Sequence, residues 1–149
     1  MRVDNNRCLI SRKIEIDMGH RVPRHGGQCA NIHGHRYVIE VHVSGPVQDN
    51  ESVEDGMVVD FGYLKRVMME EIHEQFDHGF AVAHDDKELL EYLRRSEYKH
   101  VWIPEGPPTA EVLARLWYRM LSTRIGPIME LVRVKVWETP NCWAQYPVM

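Results

Sequence analysis

Three stretches of the chain alternate apolar and polar residues with a period of two, the signature of half-buried strands. In CLISRKIEIDM, residues 8–18, Ile10, Ile14, Ile16 and Met18 share the even positions, with one break at Arg12. From about His35 to Ser44, Tyr37, Ile39, Val41 and Val43 share the odd positions. In ELVRVKVWET, residues 130–139, Val132, Val134 and Val136 share one face. MVVDF and YKHVWIP predict short strands. Between these runs the period changes to that of a helix. Behind Asp60, a good N-cap, stand Phe61, Leu64, Val67, Met68, Ile72 and Phe76. A second helix is expected over Asp86–Arg95. A third follows Thr109, with Val112, Leu113, Leu116, Trp117, Met120 and Leu121 on one face and Gly126-Pro127 as its stop. HRVPRHGGQCANIHG reads as a loop and GPVQDNESVEDG as a polar hairpin turn with a loose tip. Strands come first, then helices around one short strand, then a closing strand. That order predicts an antiparallel or mixed sheet with helices on one side, an α+β domain.

Composition narrows the class. A length of 149 residues fits one domain, taken as 1–149, and 44% hydrophobic residues suffice for a core without staples. A net charge of -4 argues against a nucleic-acid partner. No apolar run approaches the roughly 20 residues of a membrane span. The start of the chain, MRVDNNRCLISRK, lacks the apolar centre of an export signal. The three cysteines, Cys8, Cys29 and Cys142, are therefore read as reduced thiols of a cytoplasmic protein.

Parity then points to chemistry. His33 and His35 share the odd face of Tyr37 and Ile39, and His20 stands just past Met18 on the even face. If the first two strands pair antiparallel, three imidazoles meet at one end of the sheet, on its inner side. Three histidines with a fourth position open describe a catalytic zinc site. Any one of them also reads as an ordinary strand-end histidine with a hydrogen bond. Cys29 has two readings. As a fourth ligand it would close the site and make it structural; outside the ligand set it would be a base or nucleophile favoured by nearby positive charge. Glu138 shares parity with Val134 and Val136 and so follows an apolar face inward, where a carboxylate needs donors, whether a ligand's N–H groups or a nearby arginine. Arg21, Arg24 and His25 are candidate phosphate partners, or a solvated basic loop. Asp77-His78 reads as a helix C-terminus, where histidine suits the dipole. Thr109 and Glu111 read as helix-start residues.

An ordered set of short motifs adds to this. His20, then C-x-x-x-H-G-H from Cys29, GMVVDFGYLK, Asp77-His78, PTAE at 108–111 and Glu138-Thr139 together resemble the 6-pyruvoyltetrahydropterin synthase family over roughly residues 8–146. Within it the chain looks most like the bacterial 6-carboxytetrahydropterin synthases of queuosine biosynthesis. The resemblance implies a T-fold, whose antiparallel sheets join into a barrel on oligomerisation, usually as a homohexamer built from two trimers with active sites where subunits meet. It implies Zn(2+) on His20, His33 and His35, Cys29 as catalytic base, Asp77 and His78 as a second catalytic pair, and Glu138 as the pterin anchor. Thr109 and Arg24 become candidate substrate contacts. The implied substrate is 7,8-dihydroneopterin triphosphate, and the implied outcome is 6-carboxytetrahydropterin, acetaldehyde and triphosphate. Triphosphate elimination to 6-pyruvoyltetrahydropterin and a non-catalytic, zinc-stabilised pterin-binding module are the alternatives. The chain departs from the family pattern at Ile16-Asp17-Met18-Gly19-His20, at Phe76, and at GFAVAHDD; these read as packing or loop positions, which bear on substrate preference and not on the zinc site.

Overall fold

The computed structural model describes residues 6–149. A six-stranded sheet in the order β4-β3-β1-β2-β5-β6 forms the frame. Its centre is a long antiparallel hairpin, β1 (Arg7–His20) against β2 (His33–Pro46). Alternation decides which way it faces. Ile14, Ile16 and Met18 of β1 and Tyr37, Ile39, Val41 and Val43 of β2 are all buried, while Lys13, Glu15 and Arg36 stay on the opposite face. The strand was expected to begin at about His35; it begins at His33, and β1 runs on to His20.

Strand β5 (Glu130–Thr139) pairs antiparallel with β2, and β6 (Cys142–Tyr146) closes the sheet beyond it. Val132 does not take the inner face that its parity predicts. The register slips between His42 and Val43, so that Arg133 faces His42 while Leu131 faces Val43. This is a bulge, which inserts one residue and reverses parity on either side. Leu131, Val134 and Val136 are buried and Val132 is not. Strand β6 was not anticipated; CWAQY has no apolar alternation because it is an edge strand.

The loop after β2 is closed by Gln48 and Gly56, with Gly56 N–H donating to the Gln48 carbonyl. It leads into a helix and not into a paired strand, and the short strand expected at MVVDF does not form. Asp60 caps the helix α1 (Phe61–Met68), its carboxylate accepting from Gly62 N–H at 2.6 Å. The helix continues through a π-helical segment, Met69–His73, into a last turn, α2 (Glu74–Phe76). The spacing explains the π segment. Leu64, Met68, Ile72 and Phe76 are all buried and each is four residues from the next. Such a stripe slides about a third of an α-turn over its length, and the wider π turn takes up part of that slide.

Strands β3 (Phe80–Ala83) and β4 (His100–Ile103) flank α3 (Lys87–Arg95), which Asp86 caps. β3 runs parallel to β1 and to β4, so the sheet is mixed at this edge and antiparallel elsewhere. β3 joins β1 only at Gly19 and His20. A Cβ on Gly19 would lie 2.5 Å from Cε1 of Phe80. Gly19→Ala is therefore expected to push the Phe80 ring aside and destabilise the protein by about 1–3 kcal/mol, read from urea unfolding. Helix α4 (Ala110–Ser122) begins at Thr109 as expected and ends before Gly126-Pro127. It lays Leu113, Trp117 and Leu121, all fully buried, on the inner sheet face, and Trp117 meets the Phe76 ring edge-on at 5.3 Å between centroids. Among the described residues no helix is long and apolar enough to cross a membrane.

Candidate active site

The hairpin carries the site. Its register sets His20 opposite His33, Gly19 opposite Gly34 and Met18 opposite His35. The ring centroids lie 4.6 Å (His20–His33), 5.1 Å (His20–His35) and 4.9 Å (His33–His35) apart. The glycine between the histidines is constrained, because a Cβ on Gly34 would sit 3.0 Å from the carbonyl oxygen of Met18.

Hydrogen bonds fix which nitrogens face inward. His20 Nδ1 lies 2.8 Å from the carbonyl oxygen of Pro108, and His33 Nδ1 lies 2.7 Å from that of Asn31. A carbonyl only accepts, so both Nδ1 atoms carry the proton and both Nε2 atoms present lone pairs. Those two Nε2 atoms are 3.1 Å apart. His35 Nε2 is buried without a hydrogen-bond partner, and one donor nitrogen from each of the three rings lies within 4.8 Å of the others. Burial lowers the pKa of His20, against the pull of the Pro108 carbonyl, and burial likewise lowers that of His35. Neutral rings aiming lone pairs at one another repel unless a cation sits between them. The donor set therefore fits a divalent metal held by three imidazoles. Tyr37 stands beneath, its hydroxyl 3.1 Å from His20 Nδ1; burial pushes its pKa far up, so it stays a neutral phenol.

Cys29 sits on a single 3-10 turn, Gln28–Ala30, in the loop joining β1 to β2. Its carbonyl accepts from Val22 N–H at 2.8 Å, which ties the loop back on itself. Among the described residues the set of mutually close metal-binding atoms contains the three histidines and not Cys29. Instead Cys29 lines a cavity of about 250 Å³ with His20, His25, Thr109, Glu111 and Glu138. Glu138 extends the inner face of β5 to its end, and its Oε1 lies 3.8 Å from His35 Nε2. Thr109 has two places at once. Its hydroxyl accepts from Val112 N–H at 3.3 Å as the cap of α4, and its side of the helix start walls the cavity.

The remaining candidates lie apart. Arg24 is exposed, pairs with Asp85 at 2.6 Å and does not line the cavity. Arg21 is committed to Asp86 by two contacts of 2.6 Å. Asp77 and His78 do form a pair, with His78 Nδ1 2.6 Å from Asp77 Oδ2. They line a second cavity with Glu15, Asp17, Arg36 and His73, so one chain does not bring them to Cys29. Two elements of the first cavity had no sequence signal strong enough to name them. The Pro108 carbonyl that orients His20 is a backbone group, hinted at only by Pro-Pro before a helix start. Ala144 and Cys142 enter through the unanticipated strand β6.

Comparison with known proteins follows the same lines. The family model described as 6-pyruvoyl tetrahydropterin synthase matches residues 9–148. A Rickettsia felis protein named 6-carboxy-5,6,7,8-tetrahydropterin synthase is 34% identical over 137 residues, covering 91% of this chain and 96% of its own length. A Haemophilus influenzae protein of the same name is 29% identical and covers 92% and 96%. Among solved structures, an uncharacterized Wolinella succinogenes protein superposes with a TM-score of 0.77 at 22% identity, covering 93% of this chain and 97% of that one. Caenorhabditis elegans 6-pyruvoyl tetrahydropterin synthase does so with a TM-score of 0.66 at 23% identity, covering 94% of each. These likenesses show the fold, a T-fold of α+β class. The match over nearly the whole length, on a hairpin that gathers His20, His33 and His35, makes this chain a member of the 6-pyruvoyl tetrahydropterin synthase family.

Proposed function

We propose that the protein is a zinc-dependent 6-carboxy-5,6,7,8-tetrahydropterin synthase of queuosine biosynthesis. It converts 7,8-dihydroneopterin triphosphate and one water to 6-carboxytetrahydropterin, acetaldehyde and triphosphate. The observation that carries this is the convergence of three lone-pair-bearing imidazoles beside a thiol that is not part of their set. The names of the 29–34% identical relatives support the 6-carboxy outcome. The solved 6-pyruvoyl synthases are too distant to support anything but the fold.

Zinc on His20, His33 and His35 would supply Lewis acidity toward the two side-chain hydroxyls of the substrate. The chain supplies the rest. Cys29 is the base that takes a proton from the activated side chain. Glu138 accepts hydrogen bonds from the amino group and the neighbouring ring N–H of the pterin, which suit two carboxylate oxygens. Thr109 stands beside it at the cavity wall. His78, held by Asp77, returns protons on the other side of the substrate. Since that pair faces a different cavity of the same chain, the reading requires another copy to bring it in, in a homohexamer with interfacial sites. Arg24, in this scheme, releases Asp85 to meet the triphosphate. The setting is the cytoplasm.

The deciding experiment is product analysis by mass spectrometry after incubation with zinc and 7,8-dihydroneopterin triphosphate. Acetaldehyde with 6-carboxytetrahydropterin is expected. A pterin that keeps its three-carbon side chain would make this a triphosphate-eliminating synthase instead, and an unchanged substrate would sink both.

A further inference from the structure

Asp77 serves two imidazoles, and only one belongs to the pair described above. Its Oδ1 accepts from the backbone N–H of Asp17 at 2.9 Å. Its Oδ2 meets His78 Nδ1 at 2.6 Å and faces His73 Nε2 at 3.6 Å. The carboxylate is therefore held at both oxygens, and one oxygen is shared by two histidines. His73 is tied to Asp77 a second way, because Asp77 N–H donates to the His73 carbonyl at 2.9 Å. His73 is the last residue of the π-helical segment, a feature often found at functional sites. His78 itself is in the left-handed region, φ 58, pinned by donation of its N–H to the Asp17 carbonyl at 2.7 Å. A non-glycine residue held there has a conformation that its surroundings impose.

We propose that His73 is a positioning residue for the Asp77–His78 pair, setting through the shared carboxylate oxygen how firmly His78 holds its proton. This deepens the reading of His78 as an acid–base group and rests on it. When His73 is protonated it draws on the charge of Oδ2, and the His78 imidazolium loses part of its stabilising partner. The other charged groups around Asp77 are fixed in sign. Arg36 is paired to Asp17 at 2.9 Å, Glu15 lines the same cavity, and the Lys99 ammonium donates to the Asp77 carbonyl at 2.6 Å. Among the described residues lining this cavity, His73 is the one imidazole besides His78.

The test uses the zinc-loaded protein and two variants, His73→Phe and His73→Gln. The His78 titration is followed by NMR, assigned with His78→Asn. The pH dependence of kcat is measured with 7,8-dihydroneopterin triphosphate. Both His73 variants should raise the His78 midpoint by about 0.5 unit, since each removes the competing charge at near-aqueous screening. The acid limb of the kcat profile should move with it. His73→Gln, which keeps a donor toward Oδ2, should recover part of the kcat lost in His73→Phe. A His78 midpoint unmoved in a folded variant overturns the proposal, as does a shifted midpoint with an unmoved kcat profile. If the wild-type protein releases no acetaldehyde, the proposed reaction falls, while the NMR titration still decides whether His73 acts on His78.

Discussion

Replacing Cys29 by Ala should cut turnover of 7,8-dihydroneopterin triphosphate by about 10²–10⁴-fold, the range expected for a lost general base. Zinc content should stay unchanged. The two halves of that result test different things. Cys29 shares the cavity with His20, Glu138 and Thr109 but falls outside the group of mutually close donor atoms. Removing its sulfur should therefore leave the metal seated and the chemistry stalled. The measurement pairs steady-state acetaldehyde release with metal analysis of the same preparation. Loss of zinc along with the thiol would mean that Cys29 closes the coordination sphere. The protein would then be a metal-stabilised module and not an enzyme. Cys29→Ser is the informative companion, since an alcohol has nearly the shape of the thiol but is a far weaker acid.

His33→Ala should abolish turnover and weaken zinc binding by more than about 100-fold. Even partners outside the ligand set typically cost 10–100-fold, and His33 is read as a ligand. The fold should survive. His33 is only half-buried and is not one of the residues of the apolar core, which runs through Ile16, Ile39, Trp117 and Val136. Dialysis against chelator followed by metal analysis, circular dichroism and assay gives the result in one series. Full activity in a strong chelator, or equal zinc content in the variant and the parent, would end the metal reading. Pro108 should be tested beside it. Its carbonyl holds His20 Nδ1, so a shift of the Pro108-Thr109 start of α4 should weaken metal binding without touching a ligand.

The metal end was legible in the sequence because it depends on parity alone. Period-two counting puts His20, His33 and His35 on one face, and a two-strand hairpin suffices to bring them together. Asp60 and Thr109 were likewise visible as caps, because capping is local; Asp86, expected as the first helical residue, proves to be the cap of α3. What failed was non-local. The bulge that turns Val132 out of the core is set by pairing with β2, which no count along β5 contains. Strand β3 is Phe-Ala-Val-Ala, too short for a period, and is fixed by the parallel contact at Gly19 and His20. The His78 and Asp77 pair was legible only through the family resemblance. Its separation from Cys29 within one chain, and the approach of His73 to it, required coordinates.

The Gly19–Gly34 pair and its flanking histidines belong to one hairpin, so sixteen consecutive residues, 20–35, contain every proposed ligand. Arg24 and Cys29 lie in the same stretch, whereas the proposed pterin contacts arrive from elsewhere: Thr109 from the start of α4, Glu138 from the end of β5. The proposed ion site and the proposed pterin contacts are thus written in separate stretches of the gene. Divergence can alter the second set while the first is left intact, which would let this scaffold accept a different ring beside an unchanged trio of imidazoles.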